Sequence, residues 1–217
     1  LKGLTGTQVG SLGDTQVLAL TETQIANLSV TQVKGFETTD LGTLTTTQLS
    51  QLSSTQVAAF STTQIKALGD TQFAGLSTTQ VSGLTATQIA LLETTDLQAL
   101  TTTQVAGLST TQVKALSTTQ ITDLLDAQAA VLPGAQIGAL SATQAAALDV
   151  TDFAAFTTTQ SAALTATQLG TLDATDLGSL STTNIALLST TQLKGLTGTQ
   201  VGSLGDTQVL ALTETQI

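Results

Sequence analysis

The chain lacks cysteine, histidine, methionine, tryptophan and tyrosine, has no arginine, and carries one proline and five phenylalanines in 217 residues. Each absence excludes a class of chemistry. Without Cys or His there is no disulfide scaffold, no zinc site, no thiol nucleophile and no imidazole-based triad. Without Arg there is no bidentate clamp for phosphate or carboxylate. Five Lys against fifteen acids leave a net charge of −10, which repels nucleic acid and anionic membranes. No run of 18 apolar residues is present, so no membrane span is expected in this segment. An enzyme would have to work with carboxylates alone, and none is expected.

Only 9% of the residues are charged while 41% are hydrophobic, an apolar content typical of folded chains rather than disordered ones. What fills the sequence is a repeat. Leu4, Leu12, Leu20 and Leu28 begin a ladder that reaches Leu212 in steps of eight, without insertion or deletion. Its 27 rungs are Leu except Phe36, Phe60 and Phe156. The consensus octad is L-[ST]-x-T-Q-[VIL]-x-[AG], as in Leu108-Ser109-Thr110-Thr111-Gln112-Val113-Lys114-Ala115. The fourth position is Thr in 25 octads; the fifth is Gln in 22, Asp in four and Asn once; the sixth is Val, Ile, Leu or Phe in 24. All five Phe lie on the first and sixth positions, and all five Lys, Lys2 included, on the seventh. Two positions should face inward and one should face water.

Residues 193–217 repeat residues 1–25 without a change, an offset of 192 residues. A fainter echo has a period of 56: Gly13-Asp14-Thr15-Gln16 returns at Gly69-Asp70-Thr71-Gln72, and Glu37-Thr38-Thr39-Asp40 at Glu93-Thr94-Thr95-Asp96. Residues 1–217 are therefore expected to form one continuous solenoid, a superrepeat plus its overlap, taken from a longer array.

An unbroken α-helix fails on arithmetic. Eight residues at about 100° each leave roughly 80° of drift per octad, so the Leu stripe would wind around the rod. A plain strand fails because the apolar spacing is five and three rather than two. A chain of very short helices fits. With Ser or Thr of the second position as N-cap, Gln becomes the third helical residue and completes a capping box. Leu before the cap and Val or Ile at the fourth helical position form the hydrophobic staple. Small residues at the eighth position should allow tight turns and close approach of neighbouring coils. The expected fold is thus an all-α solenoid of N-capped helices too short to be stable alone. The alternative is a β-solenoid of about three octads per coil, with Thr and Gln ladders along its axis.

One departure from the consensus recurs. Whenever the fifth position is Asp the second is also acidic: Glu37 with Asp40, Glu93 with Asp96, Asp149 with Asp152, and Asp173 with Asp176. Calcium is one cause, since paired carboxylates offer hard oxygen ligands, although two are too few for a full site. Helix-terminus electrostatics is another, and contact with a partner a third. No other cofactor is expected. The Thr columns suggest ice binding, against which stands a role in capping and internal hydrogen bonding. Pro133-Gly134 occupies the cap region of the most aberrant stretch and reads as a kink or a degenerate octad.

The phrase Leu116-Ser117-Thr118-Thr119-Gln120-Ile121 resembles octapeptide tracts of very large, secreted or surface-attached repeat proteins of Gram-negative bacteria, among them adhesins and relatives of RTX proteins. The glycine-rich nonapeptide of RTX calcium rolls is absent, so calcium binding does not carry over. The resemblance implies an extracellular or cell-surface fibre, stalk or spacer. The expected function is structural, with the chain partnering itself through end-to-end stacking and lateral association. The alternative is a module whose regular Thr face binds ice, a glycan or a mineral.

Overall fold

A computed structural model describes Leu1 and residues 3–217; Lys2, expected to face water, lies outside the described residues. Among the described residues all regular structure is helical, in twenty-six helices of four to six residues, numbered α1–α26 along the chain. No strand occurs among them, so the β-solenoid alternative is not the fold.

Each octad makes one helix by the same local rules. In α10 (Thr78–Gly83) the N-cap Ser77 is extended, its Oγ accepts from the Gln80 N–H at 3.1 Å, and its own N–H donates to Gln80 Oε1 at 2.8 Å. The first helical bond, from the Val81 N–H to the Ser77 carbonyl, is 3.0 Å. The helix ends when the Leu84 N–H donates to Val81 O at 3.1 Å and Leu84 turns extended. Two extended residues, Leu and the next cap, therefore join successive helices. No residue among those described has a positive φ, so the turns do not need the glycines of the eighth position.

Those small residues serve the other expected purpose, close approach. A Cβ on Gly83 would lie 2.7 Å from Ser54 Cβ, and one on Gly75 2.9 Å from Thr46 Cγ2. In both cases the eighth position presses on the third position of an octad in the coil before. Helix packing has the matching step of three. In the column α1 (Gly6–Gly10), α4 (Val30–Val33), α7 (Ser54–Ala58), α10 and α13 (Thr102–Ala106), each helix packs on the next. One coil is thus three octads.

The chain divides into two compact units, Leu1–Ala115 and Leu116–Ile217. Within the second, α17 (Gly134–Ala139), α20 (Thr158–Ala163), α23 (Thr182–Ala186) and α26 (Asp206–Leu210) stack in the same way. The core of each unit consists of the first and sixth positions, as expected: Leu52, Val57, Leu76 and Val81 in one, Leu164, Leu169, Leu180 and Ile185 in the other. Where volume is lost at Ala129, Phe153 is buried at the equivalent place one coil on, its ring 5.0 Å from that of Phe156. Burial of these rungs, on the order of 3–6 kcal/mol per octad, is what helices of this length cannot supply alone. Lys34, Lys66, Lys114 and Lys194 are all exposed.

Candidate functional site: a glutamine ladder and its acidic breaks

The fifth-position glutamines from Gln32 to Gln208 are buried, although they stand at helix starts. The reason lies in the other end of the amide. Gln80 Nε2 donates to Leu49 O at 2.8 Å and to Leu52 O at 2.7 Å, the carbonyls that close a helix one coil earlier. Gln112 does the same to Val81 and Leu84, both at 2.8 Å. In the second unit Gln168 reaches Ile137 and Leu140, and Gln200 reaches Leu169 and Leu172. One side chain thus satisfies an orphan N–H at the start of its own helix and orphan carbonyls at the end of another. Repeated from coil to coil within each unit, the amides form a buried ladder.

The helical reading assigned Gln only to the capping box and expected a Gln ladder only of the β-solenoid, so this second bond was missed. A signal was present: a capping box accepts Glu as readily as Gln, yet no octad has Glu at the fifth position. A carboxylate can cap but cannot donate. The two natural exceptions divide the functions of Gln between them. Asn184 keeps the donor, with Nδ2 to Phe156 O at 2.8 Å. The aspartates keep the acceptor: the Glu37 N–H donates to Asp40 Oδ2 at 2.9 Å, that of Glu93 to Asp96 Oδ2 at 3.2 Å, and that of Asp149 to Asp152 Oδ2 at 3.1 Å.

Each acidic pair is split by the fold. Glu37, Glu93, Asp149 and Asp173 are exposed; Asp40, Asp96 and Asp152 are buried, and Asp176 is half-buried. Asp149 Oδ1 caps its helix by accepting from the N–H groups of Thr151 and Asp152 at 2.8 and 3.0 Å, and Asp173 Oδ1 does so from Thr175 and Asp176. Burial raises the carboxyls of Asp40, Asp96 and Asp176 above the usual range and pushes Asp152 up to about 6. The cap N–H opposes this. Neighbouring acids add to it: Glu37 and Asp14 at Asp40, Glu93 and Asp70 at Asp96, Asp149 and Asp126 at Asp152, Asp173 and Asp149 at Asp176. Lys66 acts the other way on Asp96. Asp152 Oδ1 is buried without a hydrogen-bond partner. Of the eight acids expected as calcium candidates, Asp149 and Asp173 cap their own helices and Asp40, Asp96 and Asp152 accept the N–H of the cap residue, whereas the Glu37 and Glu93 carboxylates make no cap bond; no group of three or more ligating residues gathers among the described residues.

Two details complete the ladder. Pro133 stands at the N-cap of α17 and has no N–H to give; Gln136 Oε1 accordingly accepts nothing. The helix still forms, so this octad is degenerate only in its cap. Ser161 puts a hydroxyl without a partner into the sixth-position column. The second-position residues cap, as expected, while the fourth-position Thr31, Thr55, Thr79 and Thr103 are exposed. No helix among the described residues is long and apolar enough to cross a membrane.

No curated protein matches the chain. The family model of the ALTTAQ repeat matches residues 33–70 and 89–125. Its two matches start at residues 33 and 89, the same 56-residue step that separates Asp40 from Asp96, and the second contains Ala99-Leu100-Thr101-Thr102-Thr103-Gln104. The chain is a tandem-repeat helical solenoid, similar over those two stretches to the ALTTAQ repeat.

Proposed function

We propose that the chain is a structural protein, a segment of an extracellular fibre, stalk or filament in a large bacterial repeat protein of the adhesin type. The observation that carries this reading is the ladder. Buried side-chain amides such as Gln80 and Gln168 tie each coil to the one before it through the helix termini themselves. A load along the stack then falls on hydrogen bonds shielded from water, where they are strongest. No catalytic role is proposed, because Asp40, Asp96 and Asp152 recur as acceptors of cap N–H groups. Arrays of two, three and four superrepeats, stretched singly by force spectroscopy, test this. The reading expects sequential release of coils under load and fails if the arrays extend as compliant coils with no unfolding events.

A second reading has its own observation. Thr7, Thr31, Thr55, Thr79 and Thr103 are all exposed and recur once per coil along one helix column. Such a column suits a regular surface of ice, glycan or mineral. Replacing Thr55, Thr79 and Thr103 by Tyr separates the two: a stalk keeps its fold and its mechanics, whereas a surface binder loses adsorption.

A further inference from the structure

Three aspartates outside the acidic pairs belong to the same pattern. Asp14, Asp70 and Asp126 hold the third position of their octads at steps of 56 residues, and each precedes Asp40, Asp96 or Asp152 by 26 residues. The fold accounts for the second spacing. Helix α2 (Asp14–Leu18) packs on α5 (Thr38–Thr43), α9 (Asp70–Gly75) on α12 (Thr94–Ala99), and α16 (Asp126–Ala129) on α19 (Val150–Ala155). Each of these exposed aspartates thus begins the helix one coil before a buried one. Burial is the main cause that raises the carboxyls of Asp40, Asp96 and Asp152, and the aspartate one coil earlier adds to it every time. At Asp40 that neighbour, Asp14, acts as a hydrogen-bond partner as well as a charge.

At Asp152 the arrangement has an unfilled bond. The residue is 7% exposed, its Oδ2 accepts the Asp149 N–H at 3.1 Å, and its Oδ1 is buried without a partner. In Gln168 one end of the amide accepts the cap N–H of Thr165 and the other donates to Leu140 O, 28 residues earlier. By the same step, the carbonyl that a donor at position 152 serves is that of Leu124. Side-chain length is no obstacle. Asn184, as short as Asp and at the same octad position, donates Nδ2 to Phe156 O, 28 residues earlier, at 2.8 Å. An ionised carboxylate has no hydrogen for such a bond, whereas a carboxylic acid has one and keeps its acceptors.

The charges around Asp152 favour the acid form. Asp149 stands at the N-cap of α19, and Asp126 on α16 in the coil before. Asp173 and Asp176 stand at the N-cap and in the first turn of α22 (Ala174–Ser179), which packs on α19 from the coil after. All four are acids, and a like charge disfavours ionisation.

We propose that Asp152 is a proton-operated rung of the ladder: a proton taken from water onto Oδ1 makes it the donor to Leu124 O, and the charge of Asp126 sets the pH at which this occurs. The inference rests on the structural reading above and names its regulation. The junction between α16 and α19 closes in acid and opens as the pH rises towards neutrality. Only an O–H bond forms or breaks, and the proton returns to water. In the closed state Oδ1–H and Oδ2 divide donor and acceptor between them as Nε2 and Oε1 do in Gln168. The pairs Asp14–Asp40 and Asp70–Asp96 repeat the geometry in the first unit, with Lys66 opposing the effect at Asp96.

The full-length chain labelled with carbon-13 tests this by nuclear magnetic resonance. The side-chain carboxyl of Asp152 and the backbone carbonyl of Leu124 are followed from acid to neutral pH. The two signals should titrate together, with one midpoint near the value of about 6 to which burial and the neighbouring acids push Asp152. In D126N that shared midpoint should move to lower pH. In D152N, which the fold accommodates at Asn184, the Leu124 carbonyl should stay at its acid position throughout, because the donor is permanent. A Leu124 carbonyl that does not move while Asp152 titrates overturns the proposal. So does an Asp152 that titrates at the ordinary 3.8, a midpoint unmoved by D126N, or a Leu124 signal that still titrates in D152N. Stepwise unfolding of the arrays under force requires no titration at Asp152, so the structural reading and this one fail separately.

Discussion

Gln80 Nε2 donates to the carbonyl of Leu52, one coil earlier, at 2.7 Å, while its Oε1 accepts the N–H of Ser77 at 2.8 Å. The two ends of one amide thus serve two helices in successive coils. Replacing Gln80 by Glu keeps the shape and the cap but removes the donor and turns a charge toward the carbonyls of Leu49 and Leu52. The Q80E variant should lose about 2–4 kcal/mol of stability at pH 7, measured by urea unfolding. A loss within about 0.5 kcal/mol would show that capping is the whole role of the residue.

The cap and the exposed Thr column separate cleanly. Ser77→Ala removes the acceptor of the Gln80 N–H and should cost about 1 kcal/mol. Thr79→Ala, two residues on and exposed, should change stability by less than about 0.5 kcal/mol. Thermal unfolding of the two variants side by side checks the assignment.

Asp152 gives the array a pH dependence of predictable sign. Its carboxyl is raised from the ordinary 3.8 to about 6 in the folded chain by burial and by Asp149 and Asp126. The folded state therefore holds the proton more tightly than the unfolded state, and stability falls as pH rises from about 4 to about 6. Replacing Asp152 by Gln restores the residue found at 22 other octads. D152Q should stabilise by about 1–3 kcal/mol at pH 7 and by clearly less at pH 4. An equal gain at both pH values would remove the ionised carboxylate from the account.

Ser161 holds a buried hydroxyl without a partner at a sixth position otherwise filled by Val, Ile, Leu or Phe in 24 octads. Ser161→Val should stabilise by about 1 kcal/mol. Destabilisation on thermal unfolding would mean that the site is too tight for a second methyl group.

The buried aspartates are placed as acceptors of cap N–H groups, Asp40 for that of Glu37 and Asp152 for that of Asp149. Far-UV circular dichroism with calcium and then with chelator should therefore give one helical spectrum. A spectrum that turns helical only with calcium would make Glu37, Asp40 and their three counterpart pairs ligands instead.

Much of this fold was legible because its rules are local. The octad register named the buried columns, Leu76 with Val81 among them, and the Ser77–Gln80 spacing named the caps. The size of the coil was not legible, since nothing within one octad says which neighbour lies below it. The second bond of Gln80 shares that origin, because its acceptors stand 28 and 31 residues away. The missing Glu at the fifth position was the one trace of it. Burial of Asp40 and Asp152 follows from the same long-range contact and could not be separated in the sequence from the exposure of Glu37 and Asp149.

The central claim, that buried amides lock coil to coil, is tested most directly by hydrogen exchange of the glutamine side-chain amides in nuclear magnetic resonance. The account predicts slow exchange for Gln80, Gln112 and Gln168, whose Nε2 groups bond to buried carbonyls, and fast exchange for the exposed Gln8 and Gln16. Exchange as fast at Gln80 and Gln168 as at Gln8 would contradict it.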